Sequence, residues 1–354
     1  MKIEILDRET NVVLPEKLAF GRVFTDHMFE IDFDLNKGGW HDPKIKKFGN
    51  IELSPAAMVF HYGQAIFEGL KAYKQEDGRI ALFRPDKNVE RLNRSARRLC
   101  IPEVDPELTL QAIKEVVKVD KDWIPMRPGY SLYIRPFIFA SEAGFGVHAA
   151  ASYKFIIVLS PVGPYYPEGF KPVPILVTDK YVRAVRKGIG EAKTAGNYAA
   201  SLLAQAEAEK EGFSQILWLD AVEQQYIEEV GAMNIFVQFK DEVATPALTG
   251  SILPGVTRMS VLQILRDWGY NVTERLISIR EIMESSKSGN LVEIFGTGTA
   301  AVISSVSKLK YNFEVINFSD EHAGELGTRL YNELSGIQSG KIADRHGWLE
   351  YLES

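Results

Sequence analysis

Lys193 stands in GIGEAKTAGNYAASLLAQ, Gly188 to Gln205, a stretch of mostly small side chains that runs into a helical pattern. A lysine amine attacks a carbonyl only when its ammonium form is disfavoured, by desolvation or by the positive end of a helix. Small neighbours leave room there for a bulky cofactor, although a solvated surface lysine fits the same local sequence. Glu228 and Glu229 lie side by side in YIEEVGAMN, where strand alternation predicts one carboxylate turned inward. An inward carboxylate needs a positive partner, either a pyridinium nitrogen or an ordinary salt bridge. Two further turns suit an anion. Pro254 and Gly255 precede a helix whose first free amides belong to Val256 and Thr257. FGTGTAA, Phe295 to Ala301, joins glycine freedom to threonine hydroxyls without P-loop or GxGxxG spacing. Alone, the first reads equally as a helix cap and the second as a turn. EAGFGVH, Glu142 to His148, reads as a lid or a hairpin loop.

Other chemistries find less support. The six histidines are scattered and show no HExxH spacing, so no metal site is expected. No GxSxG accompanies the acid and histidine of TDHMFEIDFD, so a hydrolase triad is not expected either. Cys100 is the only cysteine, which rules out an intrachain disulfide and fits a reducing cytoplasm. A net charge of -6 argues against nucleic acid as a partner. An acid-bearing start and the lack of any apolar run near the ~20 residues of a membrane span argue against a membrane.

The elements that must position these residues are legible from period and composition. Arg79 to Phe83, Tyr130 to Ala140 and Tyr153 to Ser160 are predicted strands, rich in aromatic and β-branched residues. Lys87 to Ile101 carries Val89, Leu92, Ala96, Leu99 and Cys100 at helical intervals, stops at Pro102, and exposes several arginines. SPVGPYYPEGF, Ser160 to Phe170, is a stiff connector. Beyond it the pattern predicts a strand VPILVT, a long alanine-rich helix through Lys210, and strands QILWLD and IEEVGAMNIFVQF. A helix from about Thr257 to Trp268 and a closing LVEIFGTGTAAVISSVSKL follow. With 354 residues the chain exceeds one comfortable core. The expectation is a mixed α/β (α+β) protein, with antiparallel pairing where short turns join strands. It divides into a small N-terminal domain at 1–160, a linker at 161–174 and a larger C-terminal domain at 175–354.

The blocks FTDHM, FEGLKAY, FRP, RSARRLC, SLYIRPF, PVGPYYP, KTAGNYAASLLAQAEA, EEVGAMNIF, LPGVTR and FGTGTAA run in one order over nearly the whole chain. In them the sequence resembles the branched-chain amino acid aminotransferases, pyridoxal 5'-phosphate enzymes of fold type IV. The resemblance implies a two-domain fold with its active site between the domains and the C-terminal domain binding the cofactor. It implies that Lys193 holds the cofactor as a Schiff base and moves the proton between Cα and C4'. Tyr198 would bond the phenolic oxygen, and Glu229 would keep the pyridine nitrogen protonated. Arg91, the backbone of Val256 and Thr257, and Thr297 match the phosphate anchors.

The same resemblance lines a substrate pocket with Phe20, Tyr62, Phe67, Tyr133 and Tyr165. Arg135 would meet the carboxylate side chain of glutamate or 2-oxoglutarate and swing aside for leucine, isoleucine or valine. Thr299 and the amide of Ala300 would bind the substrate α-carboxylate. Phe145 and Val147, like Tyr62, would reach the neighbouring subunit's site, which implies a homodimer. The chain departs from some relatives at Ala301 and Ser304, which replace a CxxC pair, and at Ala232, where several have threonine. D-amino acid aminotransferases and aminodeoxychorismate lyases share the lysine and the acid but differ in the FTDHM, SLYIRP and PVGPYYP blocks. A catalytically silent relative would have no reason to keep Lys193, Tyr198, Glu229 and Arg91 together.

Overall fold

The computed structural model describes residues 1–164 and 171–352. The chain forms two compact units. One comprises Met1–Tyr165, Ala192–Ala195 and Gly336–Ser354; the other comprises Tyr166–Glu191 and Gly196–Ser335. Helices and strands are mixed in both, as expected.

In the first unit nine strands make one sheet. Side by side lie Glu4–Ile5, Gly39–Lys47, His27–Asp34, Ser152–Val162, Ser131–Ala140, Leu70–Lys74, Ile80–Phe83 and Leu349–Tyr351, and Ala65–Phe67 also pairs with Ser131–Ala140. Alternation along Ser131–Ala140 decides what each face does. Leu132, Ile134, Ile138 and Ala140 join the core with Phe29, Ile31, Phe155 and Ile157. Tyr133 and Arg135 therefore stand on the opposite face.

Two helices close the core. Pro85–Arg98 buries Val89, Leu92 and Ala96 on one stripe, and Pro106–Val119 buries Leu108, Ala112, Ile113 and Val116. Each buried branched side chain is worth about 1.5–3 kcal/mol relative to exposure. Both helices begin with proline, whose missing N–H costs nothing in the first turn, and the Asp105 side chain accepts the Glu107 amide. The first helix ends at Arg98, short of the predicted Ile101, because Cys100 takes a left-handed φ of 55°.

The second unit also holds nine strands. Six of them close on themselves: Ile227–Val230, Gln215–Leu219, Val173–Thr178, Val302–Tyr311, Leu291–Gly298 and Met233–Phe239, the last pairing back to the first. Closure leaves these six strands without a free edge among themselves, and Ile175, Leu217, Val230, Ile235, Val237, Ile294 and Leu309 join one buried core that helix Ile279–Lys287 shares through Ile279, Ile282 and Met283. The pairing is mixed: strands joined by short turns, such as Leu291–Gly298 and Val302–Tyr311, run antiparallel as expected, and Val173–Thr178, joined to neither neighbour by a turn, runs parallel to both.

Two predicted elements are each divided in two. The strand expected over IEEVGAMNIFVQF is a hairpin, turned at Gly231 with φ 57°. The alanine-rich helix is split into Ala195–Ala199 and Leu202–Lys210. At the break the Ser201 hydroxyl donates to the Tyr198 carbonyl at 2.7 Å, a local bond that competes with the helical pattern. Among the described residues, no helix is long and apolar enough to cross a membrane.

Candidate active site

The first unit carries Lys193 on a short segment held by helix Pro85–Arg98 and by strand Ala65–Phe67. The Lys193 N–H donates to Ser95 Oγ at 3.0 Å, its carbonyl accepts the Phe67 N–H at 3.0 Å, and Thr194 bridges to Ile66. The half-buried Lys193 Nζ then lies 4.8 Å from the centroid of the Phe67 ring. Arg135 places its guanidinium 4.6 Å from that same centroid and donates to Tyr133 Oη at 3.0 Å. Tyr133 in turn meets Phe20 edge-on at 4.7 Å. Lys193, Phe67, Arg135, Tyr133 and Phe20, each singled out in the sequence, form one continuous run of contacts. Aromatic faces are suited to hold both cations.

Arg91 differs from its helix neighbours Arg94, Arg97 and Arg98, which are exposed. It is buried against Glu68, with Nε to Oε1 at 2.7 Å and Nη2 to Oε2 at 2.9 Å. Asn88 Nδ2 adds a bond to Glu68 Oε2 at 2.8 Å. Burial alone would push the Glu68 carboxyl up, but the Arg91 guanidinium, with help from the Lys193 charge and Asn88, holds it below the usual carboxylate range. Glu68 thus supplies fixed negative charge to both candidate cations.

Tyr62, Phe145 and Val147 also belong to the first unit. Phe145 packs edge-on against His61, next to Tyr62 in the chain. Phe145 is 76% exposed and Val147 89% exposed. Tyr165 lies outside the described residues.

The second unit aligns three polar side chains across three neighbouring strands. Glu229 is paired with Asn234, and Asn234 with Thr297. Directly paired residues share a face, so the three side chains form a lateral row. The segment entering helix Val256–Asp267 is tied to that row: Glu229 Oε1 accepts the Leu253 N–H at 2.9 Å, and Asn234 Nδ2 donates to the Leu253 carbonyl at 2.8 Å. Gly255, the N-cap, comes so close to Asn234 Oδ1 that a Cβ there would overlap it. The helix has no side-chain cap, and its first residues are Val256 and Thr257.

These observations test whether pyridoxal phosphate fits. Thr297 Oγ1 is buried and has no hydrogen-bond partner among the described residues. A buried hydroxyl of that kind, in a row with a carboxylate and beside an uncapped helix start, suits a phosphate-bearing ring. The residues fit. Thr299 and Ala300 sit in the turn after Thr297, followed by Val302 at φ 64°, a strained conformation for a β-branched residue. Tyr198 is half-buried on helix Ala195–Ala199, five positions beyond Lys193.

One sequence expectation is corrected here. Glu228 and Glu229 are both buried, because strand Ile227–Val230 is covered on both faces. Burial pushes the Glu228 carboxyl up, and Ser251 Oγ bonds it. The cation required by an inward Glu229 is Arg183, whose Nε lies 3.0 Å from Glu229 Oε2. Arg183, Glu68, Asn234 and Ser95 were not singled out from the sequence. The requirement that a buried acid have a cation could have prompted a search for Arg183, but nothing in YVRAVRKG distinguishes it from Arg186.

Comparison with known proteins gives one consistent result. Residues 65–309 match the family described as Amino-transferase class IV. Branched-chain-amino-acid aminotransferase 2 of Bacillus subtilis is 53% identical over 348 residues, 98% of this chain and 96% of that protein. The crystal structure of the Escherichia coli branched-chain amino acid aminotransferase superposes with a TM-score of 0.76 at 27% identity, covering 87% of this chain and 97% of that one. The crystal structure of the T.th. branched-chain amino acid aminotransferase with pyridoxamine 5'-phosphate gives 0.74 at 28% identity, covering 87% and 96%.

Proposed function

The chain belongs to the amino-transferase class IV family, and from that premise we propose that it transfers an amino group reversibly between leucine, isoleucine or valine and 2-oxoglutarate. The products are branched-chain 2-oxo acids and L-glutamate, formed in two half-reactions at one site. The observation that carries the reading is the Phe67 ring shared by the Lys193 amine and the Arg135 guanidinium. It puts the nucleophile and a single cation on an aromatic wall. Relatives named as branched-chain aminotransferases support the choice of substrate.

Pyridoxal 5'-phosphate is the cofactor, and when bound it supplies an electron sink for the bond broken at the substrate Cα. Glu229, an acid fixed by the Leu253 amide, stabilises positive charge on the ring nitrogen. Thr297, the amides of Val256 and Thr257, and Arg91 would hold the phosphate. Tyr198 donates to the phenolic oxygen. Lys193 would anchor the cofactor, and its amine, when free, would be the base that moves the proton between the substrate Cα and C4'. Thr299 and the Ala300 amide orient the substrate α-carboxylate. Phe20, Phe67, Tyr62, Tyr133 and Tyr165 accept an aliphatic side chain, while Arg135 pairs with the second carboxylate of glutamate. We place the enzyme in the cytoplasm as a homodimer.

Single-turnover half-reactions test the assignment. L-leucine, isoleucine, valine and glutamate are expected to convert the lysine-bound cofactor's visible band to that of its amine form, and D-alanine and aminodeoxychorismate to leave it. Steady-state rates should give the parallel-line pattern of a ping-pong reaction. Lys193→Ala should lose both the visible band and turnover. Conversion by D-alanine but not by L-leucine would overturn the branched-chain reading.

A further inference from the structure

Arg183 is a buried cation of the second unit, outside the residues that bind cofactor or substrate in the proposed reaction. Its Nε lies 3.0 Å from Glu229 Oε2, with the two side chains 7% and 4% exposed. The Nε hydrogen does not point along this contact, so the attraction is that of an ion pair and not of a directed hydrogen bond. Arg183 is itself held by its Nη2 donating to the Ser251 carbonyl. Glu229 is thus gripped at both oxygens, Oε1 by the Leu253 amide and Asn234 and Oε2 by Arg183.

We propose that Arg183 is a positioning residue that keeps Glu229 ionised and aimed, so that the proton between this carboxylate and the cofactor's ring nitrogen stays on the nitrogen. The proposal rests on the pyridoxal phosphate reading above. A proton shared by a pyridine and a carboxylate sits with the stronger base, and burial without a cation raises a carboxylate's proton affinity by several units at the extreme. That rise would bring Glu229 toward the ring nitrogen and weaken the electron sink. A guanidinium, which does not lose its proton, removes the rise at whichever carboxylate it touches. Arg183 lies 3.0 Å from Glu229 Oε2, so its charge acts directly on the acceptor carboxylate. Lysine would carry the charge but not the second bond to Ser251.

The test is the nitrogen chemical shift of holoenzyme reconstituted with pyridoxal phosphate labelled with 15N in the ring. Wild type is expected at the protonated pyridinium position, R183K near it, and R183Q displaced toward neutral pyridine, as is E229Q. The kcat of R183Q should fall about 10- to 100-fold, the range for groups that orient a ligating side chain. A folded R183Q at the wild-type shift overturns the proposal. If R183Q does not fold, a folded R183K at the neutral position overturns it equally. An unprotonated ring in wild type, or a shift in E229Q identical to wild type, would instead sink the placement of Glu229 and with it the cofactor reading.

Discussion

Glu68 and Arg91 show how one residue's chemistry depends on another 23 positions away. Opposite charges buried at 2.7 Å offset each other's desolvation, so removal of one leaves the other stranded. Glu68→Gln is expected to cost about 3 kcal/mol of stability at pH 7, the lower end for breaking a buried pair, because the amide keeps some of the hydrogen bonds. Urea denaturation measures it. The folded Glu68 carboxyl lies below its ordinary value of 4.5, so its contribution is complete above about pH 4.5 and is lost as pH falls through the lower folded value. The gap between wild type and variant should therefore narrow on acidification; a gap that stays constant down to the acid transition would show that Glu68 is not the ionised partner. This pair also marks the limit of what the sequence discloses at this scale. Lys193 and Glu229 could be singled out because their types are unusual for their local settings. Glu68 and Arg183 could not, since a partner across 23 or more residues is chosen by the fold and leaves no local pattern.

At the scale of elements, strand and helix positions were legible wherever one period dominated. Val173–Thr178 matches the predicted VPILVT, and Pro85–Arg98 follows its apolar stripe. The hairpin at Gly231 was not legible, because apolar residues continue through the turn and hide it, and neither was barrel closure, which joins strands far apart in sequence. Glu293 shows such a long-range junction at work. It points from strand Leu291–Gly298 into the start of helix Glu325–Ser339 and accepts the Gly327 N–H at 2.9 Å. Burial, reinforced by the Glu325 charge, outweighs the amides of Gly327 and Leu326 and pushes its carboxyl up to about 7. The folded state thus keeps a proton that the unfolded chain releases near 4.5, and stability must decline as pH rises from about 4.5 to 7. At 1.36 kcal/mol per unit the decline is about 3 kcal/mol, and Glu293→Gln should abolish it. Denaturation at pH 5 and pH 8 decides the point: equal pH slopes for the two proteins would mean that Glu293 is already ionised at pH 5.

For the whole molecule, the question is which residues complete a site when all their contacts within one chain leave them exposed. Phe145 and Val147 cover little of their own unit, and Tyr62 is 40% exposed. Large apolar side chains held at the surface in this way gain most by entering a neighbouring subunit. In the proposed homodimer each chain lends its Phe145 loop to the other chain's Lys193. A variant lacking Lys193 and a variant lacking Phe145 are then defective in different chains of one site, so they can repair each other. Lys193→Ala is expected to be inactive, and Phe145→Ala to keep the lysine-bound cofactor while losing kcat/KM for leucine about 10-fold or more, consistent with about 1.4 kcal/mol per tenfold. Mixing the two after mild dissociation should restore about one quarter of wild-type activity. Random exchange makes half of the dimers mixed, and each mixed dimer has one site with both residues intact and one with neither. Activity that stays at the sum of the unmixed variants, in a preparation shown by mass to contain mixed dimers, would place Phe145 in its own chain's site and remove the reason for reading that loop as the partner's.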